Sequence, residues 1–328
     1  MKKILALALS LVILLGSAFA LASCTETTDF TVGVAQLAPH VALDAATQGF
    51  KDALAEELAK AGKTVTFQEQ NAGGDISACT GIVGAFVANG YDLILANATP
   101  VLQAAKSATS TIPILGTSVT EYGVALGIEN FNGTVGTNVS GTSDLAPLEE
   151  QAQMLIDTLS LQSGDKVGLL YCSAEDNSTY QVNVVSAYLT ARGIVCTKYA
   201  FADSNDLSAV ATKAASESKA IYVPTDNTVA DNTGVIHNIC KAKNVPVFAG
   251  EEGACAGCGY ATLSIDYYNL GRKTGEMAAK ILLGEAHIED MPIEYDANPT
   301  KKYNAEICAE LGIDVEALKA AGYVAIGE

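Results

Sequence analysis

Short polar clusters recur along this chain, each placed directly after a run of apolar or β-branched residues. The first three are Gln36-Leu-Ala-Pro-His40, Asn97-Ala-Thr99-Pro100 and Thr117-Ser118. Three more follow: Ser173-Ala-Glu175-Asp-Asn177-Ser178, Thr225-Asp226-Asn227-Thr228 and Gly250-Glu251-Glu252. Most of them precede a helical pattern, so hydroxyls, amides and free backbone N–H groups at helix starts would face one place. Donors of that kind suit a carboxylate, while Glu175, Asp226 and Glu251 suit an ammonium. A small zwitterion such as an amino acid answers to both halves. The same residue types are also favoured as helix N-caps, so Asp44, Thr99, Ser178 and Asp226 have a purely structural reading beside the functional one.

Other chemistries find little material. There is no GxSxG, no GxxxxGK[ST] and no HExxH, and Gly257-Cys-Gly259 lacks the third glycine of a dinucleotide fingerprint. Ser178, His40 and Asp226 would have to come from separate segments to form a triad, with no elbow around the serine. An enzyme is therefore not expected, nor a cofactor or metal. Seven cysteines follow Cys24: Cys79, Cys172, Cys196, Cys240, Cys255, Cys258 and Cys308. An odd number cannot all pair within one chain. Cys255-Ala-Gly-Cys258 is the one close pair, in a glycine-rich stretch read as a loop. It is either a disulfide or two free thiols, since no second ligand pair completes a metal site. The others lie in apolar segments, where cysteine behaves as a small hydrophobe.

The 328 residues are 49% hydrophobic and only 17% charged, with 19 Lys and Arg against 37 Asp and Glu. That is enough chain for about two domains with real cores. Net charge is −18, and there is no block of Lys and Arg, so nucleic acid is not expected as a partner.

The N-terminus reads as an export signal. Lys2-Lys3 precede an apolar core from Ile4 to Leu15, and Gly16-Ser17-Ala18 supply small residues at its exit. The short core and the lack of a basic flank favour a signal over a membrane span. Leu21-Ala22-Ser23-Cys24 resembles a bacterial lipobox, which implies lipidation of Cys24 and a membrane anchor outside the cytoplasm. Removing residues 1–23 takes two positive charges and leaves −20. Residues 24–29 then form a polar tether.

The elements that must position the polar clusters alternate regularly. Strands are expected at 30–36, 65–70, 93–97, 112–116, 167–172, 194–201, 220–223 and 245–249, with later ones at 260–264 and 292–295. Phe50, Leu54, Leu58 and Ala61 recur at spacings of four and three, which makes a helix from about Asp44. Further helices are expected at 76–89, 148–159, 178–192, 207–218, 229–242 and 267–283. Strand and helix in alternation predict parallel sheets covered on both faces. The pattern runs twice, giving an α/β fold of two Rossmann-like lobes joined by a hinge of several crossovers. The expected division is a first lobe of 30–118 with 266–291, a second of 142–265 with 297–328, and a crossover at 119–141, rich in Gly, Asn and Thr. Ligands in open α/β folds bind outside the C-termini of the strands, where the polar clusters stand.

From about Phe30 onward the chain carries Gln36, His40-Val-Ala-Leu-Asp44 with Gly49-Phe50, Gln68-Glu-Gln-Asn-Ala72 with Asp75, and Ala98-Thr99-Pro100 with Gln103-Ala104. Further on stand Asn177-Ser178, Tyr222-Val-Pro-Thr-Asp226-Asn-Thr228, and Ile265-Asp-Tyr-Tyr268 with Leu270-Gly-Arg272. On these motifs the chain resembles the substrate-binding lipoproteins of bacterial ABC importers, in the TrpX-like (tryptophan/tyrosine-binding) family with a type I periplasmic-binding-protein fold. The resemblance implies that Gln36 and His40 face the cleft and that Ala98 and Thr99 present donors to a ligand carboxylate. Ser173, Asn177 and Ser178 would line the second lobe, Asp226 with Asn227 would supply an acidic contact opposite, and Asp266-Tyr-Tyr268 would support the hinge. Two departures stand out. Pro39-His40-Val41 replaces a usual Glu-His-Pro, and the loop after Ala249 carries Glu251-Glu252 and the cysteine pair. The implied function is a monomeric, extracytoplasmic receptor for an amino acid, aromatic by resemblance, that serves an ABC permease. A lipoprotein that senses a ligand and signals to a membrane partner without transport is the alternative.

Overall fold

A computed structural model of the protein describes residues 28–296 and 298–327. The expected signal segment, Cys24 and most of the tether lie outside the described residues. Two sheets organise the rest. The first has six parallel strands in the order β11-β5-β4-β3-β1-β2: β1 (Phe30–Gln36), β2 (Val65–Asn71), β3 (Leu93–Asn97), β4 (Ile114–Val119), β5 (Val139–Ser143) and β11 (Glu294–Tyr295). The second has seven in the order β13-β12-β10-β9-β8-β6-β7. These are β6 (Lys166–Cys172), β7 (Val195–Phe201), β8 (Ala220–Val223), β9 (Val247–Ala249), β10 (Ala261–Ser264), β12 (Thr300–Tyr303) and β13 (Val324–Ala325), with only the β10–β12 pair antiparallel.

The first lobe carries α1 (Val41–Lys60), α2 (Ile76–Ala88), α3 (Thr99–Ala108) and α4 (Tyr122–Leu126). The second carries α5 (Leu148–Leu159), α6 (Asp176–Thr190), α7 (Ser204–Glu217), α8 (Asn227–Asp231), α9 (Thr233–Ala242) and α10 (Glu252–Cys258). α11 (Tyr267–Leu282) returns to the first lobe, and α12 (Ala305–Leu311) and α13 (Val315–Ala320) end the chain on the second. Each sheet is covered on both faces by apolar clusters, one built on Leu169, Tyr222, Phe248 and Tyr260, another on Ile94, Ala96, Val101 and Leu102.

α11 lies against α1 with backbone nearly touching backbone. A Cβ at Gly49 would come within 2.1 Å of the Tyr268 carbonyl oxygen, and one at Gly271 within 2.0 Å of that of Ala46. The glycines in Gly49-Phe50 and Leu270-Gly-Arg272 are thus explained by close approach, and they bind the second crossover firmly to the first lobe.

Three expectations need correction. The chain crosses from the first lobe to the second after β5, back after β10 and over again after β11, so 119–141 is no crossover. That segment holds α4 and the start of β5 and stays with the first lobe. β5 escapes a hydrophobicity reading because, apart from Val139, its buried side chains are Ser140, Thr142 and Ser143. Their hydroxyls are satisfied instead: Ser140 donates to the Met291 carbonyl at 3.0 Å, and Thr142 pairs with Thr274 at 2.8 Å. The helix expected at 229–242 is broken at Asn232 (φ −125°, ψ 23°) into α8 and α9. Finally, Cys255 and Cys258 are not a disulfide in a loop. They lie within α10 as free, buried thiols, where the Cys255 thiol donates to the Gly259 carbonyl at 3.5 Å. Burial pushes both thiols far above the ordinary cysteine range, which leaves them inert as nucleophiles.

Candidate ligand-binding cleft

The C-terminal ends of the two sheets face each other across a cleft, and side chains bridge it. His40 Nε2 in the first lobe lies 3.3 Å from Asn227 Oδ1 in the second, and Gln103 donates to Asp176 Oδ2 at 2.8 Å. A cavity of about 130 Å³ remains at this rim between Leu37, Gly73 and Gly74 on one side and Asp203, Asn227 and Asp231 on the other.

On the first lobe, the turn after β3 and the irregular last residues of β4 are held in conformations that side chains rarely adopt. Ala98 has φ 99° and Ser118 φ 53°, and the Ala98 N–H donates to the Thr117 carbonyl at 3.1 Å, which ties the two turns together. A non-glycine residue so placed costs on the order of 1–3 kcal/mol and is retained where the surroundings require it. The strain is matched by unmet polar atoms. Thr99 Oγ1, Ser118 Oγ and Asn97 Oδ1 are all buried without a hydrogen-bond partner. Pairing is the rule for buried polar groups, so three orphans on neighbouring turns mark a surface shaped for something other than the protein. Ala98 caps α3 with no side-chain acceptor, so the positive end of that helix also faces the cleft.

Gln36 has a different role. Its amide donates to the Ala38 carbonyl at 2.8 Å and to Asp44 at 2.6 Å, and it accepts from Thr47 at 2.7 Å, so it fixes the loop that carries His40. Burial lowers the His40 pKa, and its Nδ1 has no partner.

On the second lobe, Asn177 donates to Glu175, Ser178 and the Thr225 carbonyl while its own Oδ1 stays unpaired. The acidic residues are engaged elsewhere. Glu175 accepts from the backbone and side chains of Asn227 and Thr228 and from Asn177, closing the N-terminus of α8. Asp226 accepts from the Cys172 N–H at 2.7 Å and the Val229 N–H at 2.9 Å. Burial, with the neighbouring Glu175 charge, raises its pKa. Glu251 caps α10 through the N–H groups of Gly253 and Ala254, and burial pushes it to about 7. Ser173 is exposed, and its hydroxyl donates to the Phe201 carbonyl at the end of β7.

Of the residues expected from sequence, Thr99, Ser118, His40 and Asn177 therefore present unmet atoms, Ala98 supplies the strained turn, and Asn227 bridges the lobes. Gln36, Glu175, Ser178 and Asp226 form the framework that holds them. Sequence reasoning overlooked Gln181, which clamps the 225 loop through the Thr225 N–H (3.0 Å) and carbonyl (2.9 Å), and it overlooked Asp144. Asp144 follows β5 in the first crossover, is buried, and accepts from the Tyr267 hydroxyl at 3.0 Å. Burial drives its pKa to about 6, against the Thr120 and Tyr267 hydroxyls beside it.

Two parallel α/β lobes, three crossovers, and a polar cleft with unmet atoms define a solute-binding protein of the type I periplasmic-binding fold. The chain belongs to the ABC transporter substrate-binding protein family, whose profile matches residues 31–323, and within it to the TrpX-like group. It is similar to a tyrosine-binding protein of Clostridioides difficile (strain R20291), 32% identical over 262 residues that make up 80% of this chain and 75% of the relative. It is also similar to an ABC domain from Streptococcus pneumoniae solved in complex with L-Trp. That match is 30% identical with a TM-score of 0.83, covering 91% of this chain and all (100%) of the other. A third relative is a substrate binding protein with adhesive properties from Clostridium difficile, in a ligand-free, open structure. It is 33% identical with a TM-score of 0.67, covering 90% of this chain and 99% of that one.

Proposed function

We propose that this chain is the extracytoplasmic receptor of an ABC importer and binds an aromatic L-amino acid between its lobes. The observation that carries the reading is the pair of unpaired buried hydroxyls of Thr99 and Ser118 on strained turns at the start of α3 and the end of β4. Together with the α3 N-terminus they form a receptor for a carboxylate. The relatives supply the class: one is named for tyrosine and one was solved with L-Trp. At nearly equal identity the chain superposes better on the L-Trp complex than on the ligand-free, open structure, which supports a lobe arrangement of the liganded kind. The contacts His40–Asn227 and Gln103–Asp176 are then closure contacts, made when the lobes meet over the solute and exclude water.

On this reading Cys24 carries the lipid that holds the receptor at the membrane, and the permease receives the ligand from the closed monomer. The test is a thermal-shift and calorimetry panel of the twenty amino acids on protein stripped of carried ligand. A ligand at about 100 times its Kd adds about 2.7 kcal/mol to the apparent stability. A selective rise with tyrosine, tryptophan or phenylalanine is expected, and no response to any amino acid refutes the assignment. Loss of fatty-acid labelling in Cys24→Ser checks the anchor.

A further inference from the structure

Among the described residues four carboxylates are buried, Asp144 (3% exposed), Glu175 (1%), Asp226 (2%) and Glu251 (2%), and no Lys or Arg is buried with them. A carboxylate out of water needs donors or a cation. Three have donors on both oxygens: Glu175 from Asn177, Asn227 and Thr228, Asp226 from Cys172 and Val229, and Glu251 from the first turn of α10. Asp144 is the exception. Tyr267 donates to its Oδ2, the Thr120 hydroxyl lies beside the group, and its Oδ1 is buried with no hydrogen-bond partner.

The place of that oxygen is informative. The Asp144 N–H donates to the Val119 carbonyl at 3.2 Å, so Asp144 lies at the C-terminal edge of the first sheet beside the β4 turn that carries Ser118. That turn is in turn beside the β3 turn that carries Thr99. Neighbouring strands are about 4.8 Å apart. Across β3, β4 and β5 the edge thus offers hydroxyl, hydroxyl and carboxylate, each with an unmet atom. An α-amino acid bears its carboxylate and ammonium on one carbon and matches that row in order.

We infer that Asp144 Oδ1 is the counter-ion of the ligand's α-ammonium, so that the cleft selects a free amino acid over its deaminated or N-acylated analogues. This rests on the amino-acid reading above and assigns the half of the zwitterion that it left open. Asp144 and its partner Tyr267 belong to the first and second crossovers, so the counter-ion is held at the hinge. It is in place before the lobes close. The acidic contact that the family resemblance placed at Asp226 is accordingly moved to the other side of the cleft.

The test compares L-tyrosine, 3-(4-hydroxyphenyl)propionate and N-acetyl-L-tyrosine by calorimetry on the full-length chain and on Asp144→Asn. The wild type should bind L-tyrosine about 100-fold or more tighter than the deaminated acid, the loss expected when one member of a buried charge pair is missing. In Asp144→Asn that ratio should fall to within about tenfold of one. The variant keeps an acceptor for Tyr267, so its unliganded melting point at pH 7.5 should not drop. A wild type that binds the deaminated acid as well as L-tyrosine overturns the inference without any variant. So does an Asp144→Asn protein whose ratio is unchanged. If the wild type binds a non-aromatic amino acid instead, the aromatic assignment alone fails, and the ratio is measured with that ligand and its deaminated acid. A wild type that binds no amino acid overturns both.

Discussion

Replacing Thr99 by Val separates binding from stability. Val keeps the β-branched shape and volume and removes only a hydroxyl that is buried without a partner. In the unliganded protein nothing is lost, and the cost of burying an unsatisfied donor is relieved. That cost is about 1–3 kcal/mol where no compensation exists, so a gain of up to about 1 kcal/mol is a conservative expectation. For a chain of this size the gain corresponds to a rise of roughly 2 °C in Tm. Binding moves the other way. A hydrogen bond to a charged group contributes about 1.5–3 kcal/mol, so the Kd should rise about 10- to 150-fold. Thermal melts of stripped protein and calorimetric titration with the best ligand of the panel measure the two effects. If Tm and affinity fall together, Thr99 is structural and the carboxylate receptor is misplaced. If neither changes, the hydroxyl does not face the ligand.

Three further outcomes follow from the same geometry. Asp144 and Glu251 have folded-state pKa values raised to about 6 and about 7, so their ionisation opposes folding, and Asp226 is shifted in the same direction. The stability is therefore fully present below the ordinary carboxylate range and is lost as pH rises through those values; unliganded protein should melt higher at pH 5.5 than at 7.5, and a flat or opposite profile refutes the buried-acid account. Gln151 donates to the carbonyls of Gly250 and Leu263, each at 2.9 Å, and accepts from Tyr222 at 2.7 Å, so Gln151→Ala strands three buried groups and should cost about 3 kcal/mol by denaturant titration. Gly271→Ala drives a methyl group into the Ala46 backbone and should cost at least about 2 kcal/mol as α11 is levered from α1, while Gly284→Ala, where a Cβ would meet no atom within 4 Å, should lose less and only through its φ of 71°.

The alternation of strand and helix was legible because the sheets are parallel and buried on both faces, so their strands read as short apolar runs, as in 93–97 and 220–223. The reading failed where burial is achieved without hydrophobic side chains. β5 is Val-Ser-Gly-Thr-Ser, a polar string whose hydroxyls are paired with Thr117, Thr274 and the Met291 carbonyl. Missing that strand displaced the lobe boundary and turned the end of the first sheet into a linker. The glycines of α10 misled in a similar way, since the capping carboxylate of Glu251 stabilises a helix that composition alone argues against.

The same blind spot hid Asp144, the proposed partner of the ligand's ammonium. Sequence can rank acids by the strand ends they follow, and by that rule Glu175, Asp226 and Glu251 were the natural partners for an ammonium. It cannot tell whether an oxygen is already occupied. N-capping and ligand binding draw on the same short side chains at the same helix starts, and the two are separated only when each donor and acceptor is traced. Tracing them leaves the second lobe with acids committed to the N-termini of α8 and α10, and the first lobe with unmet atoms at Thr99, Ser118 and Asp144. A division of labour results. On the proposed reading the first lobe and the crossovers recognise the charged end of the solute, and the second lobe, through Asn177 and Asn227, closes on it.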